Sequence, residues 1–373
     1  MERPCSSYSF DCQPVFQVRE EAQQQEENWL KPGFYTGGHS CDFVEGTNKE
    51  QGDGGRLLLF GGYNGRERTN ELVIIDDICA FAEEEKEISF KKVNVEQING
   101  RAGHASFLWN HKLCIYGGYD SQHNVLSDFQ TIDLSSDEEN FQTESVSYTN
   151  VVDDLDRRWH CSYRKDNLLF VHAGWNDRGP LNDVLTFNLE TQKWQQTRFS
   201  GTSSSSSFGK RTKKRQQTHE ALDHPSPRRW HTMIPLEENP SSLFVFGGYD
   251  GDPNGLNDAY FFHLERMSWT RMGACKGPAP SPRCRHSMLR IGHKQGLLIG
   301  GFSNYITHKD MFFFHSDDHS WSSPSKKVLG QLHPVLRSGA TASLLPNGHT
   351  IVICGGFIPD YVHPIYTLDI RRL

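Results

Sequence analysis

Six times along the chain, a short apolar run ends in two small residues followed by an aromatic. The copies are Leu59-Phe60-Gly61-Gly62-Tyr63, Ile115-Tyr116-Gly117-Gly118-Tyr119, Val171-His172-Ala173-Gly174-Trp175, Val245-Phe246-Gly247-Gly248-Tyr249, Leu298-Ile299-Gly300-Gly301-Phe302 and Ile353-Cys354-Gly355-Gly356-Phe357. Their spacings are 56, 56, 74, 53 and 55 residues. Self-similarity at this period means one supersecondary unit used over and over, each burying its apolar faces against its neighbours. Length alone, 373 residues, allows two or three ordinary domains. Six units in phase instead require one continuous array.

Each unit carries further landmarks. A histidine lies 13 to 16 residues before the glycine pair, three residues after an arginine: Arg101 with His104, Arg157 with His160, Arg228 with His231, Arg283 with His286. Arg337 keeps its place while Ala340 replaces the histidine, and His39 opens the first unit with Thr36 in the arginine position. Downstream, a polar residue and an acid introduce another apolar run, as in Ser127-Asp128-Phe129, Asn182-Asp183-Val184 and Asn257-Asp258-Ala259. A tryptophan closes several units, at Trp194, Trp269 and Trp321. Strand-length runs between Gly, Asn and Asp turns give four short strands per unit.

These residues resemble the kelch motif: paired glycines, an aromatic just after, and a tryptophan further on. No Trp-Asp dipeptide of the WD40 type occurs. The resemblance covers the chain from His39 onward and implies an all-β fold, a six-bladed kelch β-propeller. The last unit holds three strands before Leu373, and Trp29 stands alone before the first unit. The expected organisation is a flexible arm at 1–27 and a single propeller at 28–373, with 28–36 supplying the closing strand of the last blade. Closure of this kind leaves no sheet edge. Loss of residues up to about Pro32 is then expected to destabilise the whole ring.

Composition narrows the function. Mean hydropathy is −0.63, and no apolar run approaches the length needed to cross a bilayer as a helix. The first residues lack the basic-then-apolar pattern of a secretory signal. Net charge is −7, which argues against direct nucleic-acid binding. Nine cysteines without a Cys-x-x-Cys pair read as reduced thiols of an intracellular protein, cytoplasmic, nuclear or both.

Labelling the strands a to d outward from the axis puts the start of a and the end of b on one rim, since antiparallel neighbours run oppositely. The motif arginines share that rim with the loops after each glycine pair, which hold Asn64, Arg66, Arg68, Asp120, His123, Arg178, Asp250 and Tyr305. The c–d loops, with Glu83 to Glu87, Asp137 to Glu139, and Asp317-Asp318, face the other way. The disc is therefore expected to be basic around one mouth and acidic around the other. In kelch propellers that grip acidic peptides or chain termini, arginines entering strand a often make the contact. Carried over by position, the partner-binding candidates are Arg101, Arg157, Arg228, Arg283 and Arg337, with Arg66, Arg178 and Tyr305 from the loops. Arg158, Arg229 and Arg285 are lesser candidates. The competing reading pairs each motif arginine with an acid of the next blade, such as Asp128, Asp183 or Asp258. The motif histidines and tryptophans are expected to be packing residues.

The 74-residue spacing holds an insertion at 199–226, with five serines followed by a basic run. It is expected to be disordered. The run Lys210, Arg211, Lys213, Lys214, Arg215 resembles a nuclear import signal.

Two functional classes follow. One is a non-catalytic adaptor or substrate receptor that binds an acidic peptide, loop or C-terminus of a protein partner, with no cofactor. The other is a propeller enzyme or metal-dependent specifier-type protein with a site in the central channel. The sequence has no His-Glu-x-x-His, no Gly-x-Ser-x-Gly and no phosphate-cradling Gly-x4-Gly-Lys-Ser/Thr. The densest ligand-like cluster, His315, Asp317, Asp318 and His319, falls in a c–d turn.

Overall fold

The computed structural model describes residues 38–44, 55–64, 66–76, 78, 90–135, 141–199, 223–325, 336–357 and 365–373. Within them the chain forms six antiparallel sheets arranged as a β-propeller, plus one small hairpin. Blade 1 is β1 (Ser40–Val44), β2 (Arg56–Phe60), β3 (Glu71–Ile75) and β4 (Phe90–Asn94). Blade 2 is β5 (Ala105–Trp109), β6 (Lys112–Tyr116), β7 (Phe129–Asp133) and β8 (Thr143–Ser145). Blade 3 is β9 (Cys161–Lys165), β10 (Leu168–Asn176), β11 (Gly179–Asn188) and β12 (Lys193–Thr197). Blade 4 is β13 (Thr232–Pro235), β14 (Ser242–Gly248), β15 (Leu256–His263) and β16 (Ser268–Arg271). Blade 5 is β17 (Ser287–Gly292) and β18 (Gln295–Ile299), then the hairpin β19 (Phe302–Ser303) and β20 (Ile306–Thr307), then β21 (Met311–His315) and β22 (Ser320–Ser322). Blade 6 contributes β23 (Ser338–Leu344), β24 (Thr350–Phe357) and β25 (Ile365–Asp369).

The apolar runs are continuous because both faces of every blade are covered. Successive side chains point opposite ways along a strand, so β2 divides its residues between neighbours. Leu58 and Phe60 pack with Leu113 and Ile115 of blade 2. Leu57 and Leu59 pack with Val352, Cys354 and Ile365 of blade 6. Each of the six apolar clusters lies between two adjacent blades. The last joins blade 6 to blade 1, so side-chain packing closes the ring. Trp194, Trp269 and Trp321 are buried among these clusters, as expected. Trp194 sits 4.9 Å from the Tyr116 ring of the preceding blade.

The expected closing strand at 28–36, the arm at 1–27, the basic run at 210–215 and the acidic loops at 83–87 and 137–139 lie outside the described residues. So does most of the 199–226 insertion. Its two described ends meet, with the Phe199 and His224 rings 5.6 Å apart.

Candidate functional site

The motif arginines are placed inside the wall of the ring. Arg101, Arg157, Arg228 and Arg283 are each 0% exposed, and Arg337 is 4% exposed. Each Nη1 donates to the carbonyl of the first residue in its own blade's glycine pair: Gly117, Ala173, Gly247, Gly300 and Gly355, at 2.8 to 3.1 Å. Four of them fork onto an aspartate just before or within the third strand. The pairs are Arg101–Asp128 at 2.8 Å, Arg157–Asp183 at 3.1 Å, Arg228–Asp258 at 2.6 Å and Arg283–Asp310 at 2.6 Å. These acids belong to the arginine's own blade, not to the next one as the competing reading had it. The link between blades is made by the backbone instead. In blades 1 to 5 the second glycine of the pair donates its N–H to the arginine carbonyl of the following blade, as Gly62 does to Arg101 at 2.8 Å and Gly118 to Arg157 at 2.9 Å. The arginine thus fixes its glycine turn with its side chain and the neighbour's with its carbonyl. Buried and engaged, these guanidinium groups are corrected from rim contacts to structural pins.

Two residues further on, every blade repeats an unusual backbone. Gly38, Gly103, Trp159, Trp230, Arg285 and Gly339 all adopt φ between 53° and 81°. They are joined head to tail around the axis. Gly103 N donates to Gly38 O, Trp159 N to Gly103 O, Trp230 N to Trp159 O, Arg285 N to Trp230 O and Gly339 N to Arg285 O, at 2.7 to 3.1 Å. Glycine accepts this left-handed conformation freely, whereas a side chain costs about 1–2 kcal/mol there. Blades 3, 4 and 5 nevertheless carry two tryptophans and an arginine. Backbone strain of this kind gathers at functional sites, and all three residues line a cavity at the mouth of about 380 Å³.

A ladder of arginines and aromatics runs beside that cavity, and its members Arg68, Tyr119, Trp159, Trp230 and Arg285 line it. Arg68 lies 3.9 Å from the Tyr119 ring centroid, and Arg158 lies 4.7 Å from Tyr119 and 4.5 Å from Trp159. Arg229 lies 4.7 Å from Trp159, 4.2 Å from Trp175 and 4.1 Å from Trp230. Arg285 is 3.9 Å from Trp230. Arg158 and Arg229 are set in the ladder by backbone pairing with the aromatic after the glycine pair, Arg158 with Trp175 and Arg229 with Tyr249. Among the described residues none of these four arginines forms a salt bridge, and no carboxylate lines the cavity. Burial, together with the charges of Arg158 and Arg285, pushes the Arg229 guanidinium down to about 10. A planar cation stacked on a ring keeps its edge N–H groups free, the geometry that grips a carboxylate bidentately.

Below the ladder lie the motif histidines. His39, His104, His160, His231 and His286 are at most 8% exposed. Burial pushes His39 down to about 4 and His160 and His286 to about 3, so the floor is neutral.

The remaining candidates are dispersed. Arg66 is exposed on the loop after β2, and its N–H donates to Asn64 Oδ1. Arg178 is held by Asp154 at 2.6 Å and Asp156 at 3.0 Å. Tyr305, 85% exposed, tips the β19–β20 hairpin. On the opposite side Asp317 pairs with Lys294 at 2.8 Å. Among the described residues, no group of three His, Cys, Asp or Glu side chains is placed to hold a metal ion. The ladder residues had a signal in the sequence. In Arg157-Arg158-Trp159-His160 and Arg228-Arg229-Trp230-His231, adjacent extended residues must point opposite ways, so only one arginine of each pair can face inward.

Comparison with known proteins fits this architecture. Rho GTPase-activating protein gacHH of Dictyostelium discoideum is 32% identical over 146 residues, 38% of this chain and 8% of that protein. Kelch domain-containing protein 2 of Bos taurus is 20% identical over 269 residues, 67% of this chain and 59% of that protein. An F-box/kelch-repeat protein of Arabidopsis thaliana is 29% identical over 155 residues, 40% of this chain and 32% of that protein. In each case the matched region spans less than two thirds of the relative's length. The model of the KLHDC2/KLHL20/DRC7 Kelch-repeats domain matches residues 38–212 and 207–373. With six blades that repeat the glycine pair, Ala173 replacing one glycine of the third, the chain belongs to that kelch-repeat family.

Proposed function

We propose that this protein is a non-catalytic interaction module whose mouth holds an acidic segment or chain terminus of a protein partner. The observation that carries this reading is the set Arg68, Arg158, Arg229 and Arg285, stacked on aromatic rings without a salt bridge among the described residues. Partly buried cations that repel one another are costly, and an incoming carboxylate offsets that cost. A relative whose name joins kelch repeats to an F-box supports an adaptor or substrate-receptor role for the captured partner.

The test is affinity capture from native cells with wild type and with Arg158→Glu/Arg229→Glu. Partner loss in a variant that melts within a few degrees of wild type supports the reading. Unchanged capture removes the mouth as the working surface. Replacing a buried pin such as Arg157 separates the two classes, because that variant loses stability first.

A further inference from the structure

We propose that His160 is the polar floor of the ligand pocket and takes an uncharged hydrogen-bonding group of the bound segment, namely a backbone amide adjoining its carboxylate. The inference rests on the arginine ladder being the site that holds the carboxylate.

The histidines of the ring are tied down by a relay between blades. His104 Nε2 meets Ser40 Oγ at 3.1 Å, His286 Nε2 meets Thr232 Oγ1 at 3.0 Å, and His39 Nε2 meets Thr341 Oγ1 at 3.0 Å. In each case the hydroxyl follows the histidine position of the preceding blade. His231 takes His172 Nδ1 instead, at 3.0 Å. For His160 the equivalent position is Ala105, which has no hydroxyl. Neither ring nitrogen of His160 makes a well-formed hydrogen bond among the described residues, the nearby polar group being the Arg157 backbone. The ring is 8% exposed and lines the cavity next to Trp159, beneath the half-buried Arg158.

A buried imidazole with no side-chain hydrogen-bond partner is costly in a finished core. Here it faces the cavity at the mouth. Neutral histidine presents one donor and one acceptor, which is the complement of a peptide amide. The His231 and His286 Nδ1 atoms, also unpartnered among the described residues, extend the same floor. Charge is handled at the rim by arginine, and hydrogen bonding below by histidine.

The probes are N-acetylalanine, a carboxylate with one adjoining amide, and 2-methylbutanoate, a carboxylate without one. Affinities are read by NMR titration of the full chain. Wild type is expected to bind N-acetylalanine about fivefold to tenfold tighter, the worth of roughly one hydrogen bond. Ala105→Ser supplies the missing hydroxyl from within, and His160→Phe removes the ring nitrogens. Either variant is expected to cut the preference below about twofold while 2-methylbutanoate binds as before. A preference that survives in both variants overturns the proposal, as does its absence from a wild type that binds both acids. If neither acid binds in a manner sensitive to Arg229→Glu, the arginine reading fails and this inference with it.

Discussion

The backbone N–H of Trp230 donates to the carbonyl of Trp159 at 3.1 Å, and both tryptophans hold φ near +55°. Their indole centroids are 4.6 Å apart. The same left-handed position is glycine in blades 1, 2 and 6. The ring thus has an open half and a half furnished with large side chains, and Arg229 lies against both indoles, 4.7 Å and 4.1 Å from their centroids. Left-handed backbone at the second position after the pin brings Trp159 and Trp230 to the cavity, where an axial ligand would meet them.

Ala173 occupies the one place in the six glycine pairs that is not glycine, at φ 60°. Ala173→Gly is expected to stabilise the fold by about 1 kcal/mol, because the left-handed penalty on a side chain disappears. Urea unfolding of the two proteins measures it.

Arg157 and Asp183 form the most enclosed of the pins, with side chains 0% and 8% exposed. Arg157→Met is expected to cost about 3–5 kcal/mol by stranding the aspartate. Arg157→Met/Asp183→Leu should recover part of that loss. Thermal melts of the three proteins show whether the pair acts as a unit.

Acid should unfold the ring early. Burial holds His39 at about 4 and His160 and His286 at about 3, below the ordinary 6.5. Each takes up a proton on unfolding once the pH falls under 6.5. Their contribution to stability is whole above that value and is lost as the pH drops through the folded-state values. The urea midpoint is expected to be lower at pH 5 than at pH 7.5.

Asp42 behaves oppositely. Burial in the innermost strand pushes its carboxyl up to about 6, although the Ser106 hydroxyl donates to it. Its contribution is present below about 3.8 and is lost as the pH rises through 6. Asp42→Asn is expected to raise the melting temperature at pH 8, with the gain vanishing near pH 4. Melts across that range give the profile.

The fold could be read because its determinants are local and repeated. Each glycine pair requires a positive φ at the end of a strand, as at Gly117 and Gly118 with φ 64° and 93°. Such a requirement leaves its mark wherever it recurs. The site was harder to read, because Arg157 and Arg158 are the same residue type in adjacent positions. The inner one forks onto Asp183, 26 positions away in sequence, and the outer one lies over Tyr119 of the preceding blade. The sequence ranks the first arginine higher because the motif carries it, yet what the motif keeps there is a structural pin.

The sequence by itself determined six units, their all-β character and the buried tryptophans. Only the tertiary structure decided which arginines fork onto an aspartate and which stack on aromatic rings. It also showed that Ala105 leaves His160 without a hydroxyl and that a left-handed belt carries Trp159, Trp230 and Arg285 into one cavity. The reason is physical. Periodicity is written in each repeat, but whether a charge is paired depends on groups that folding brings within about 3 Å of it, as it does Arg157 and Asp183, 26 positions apart in one blade.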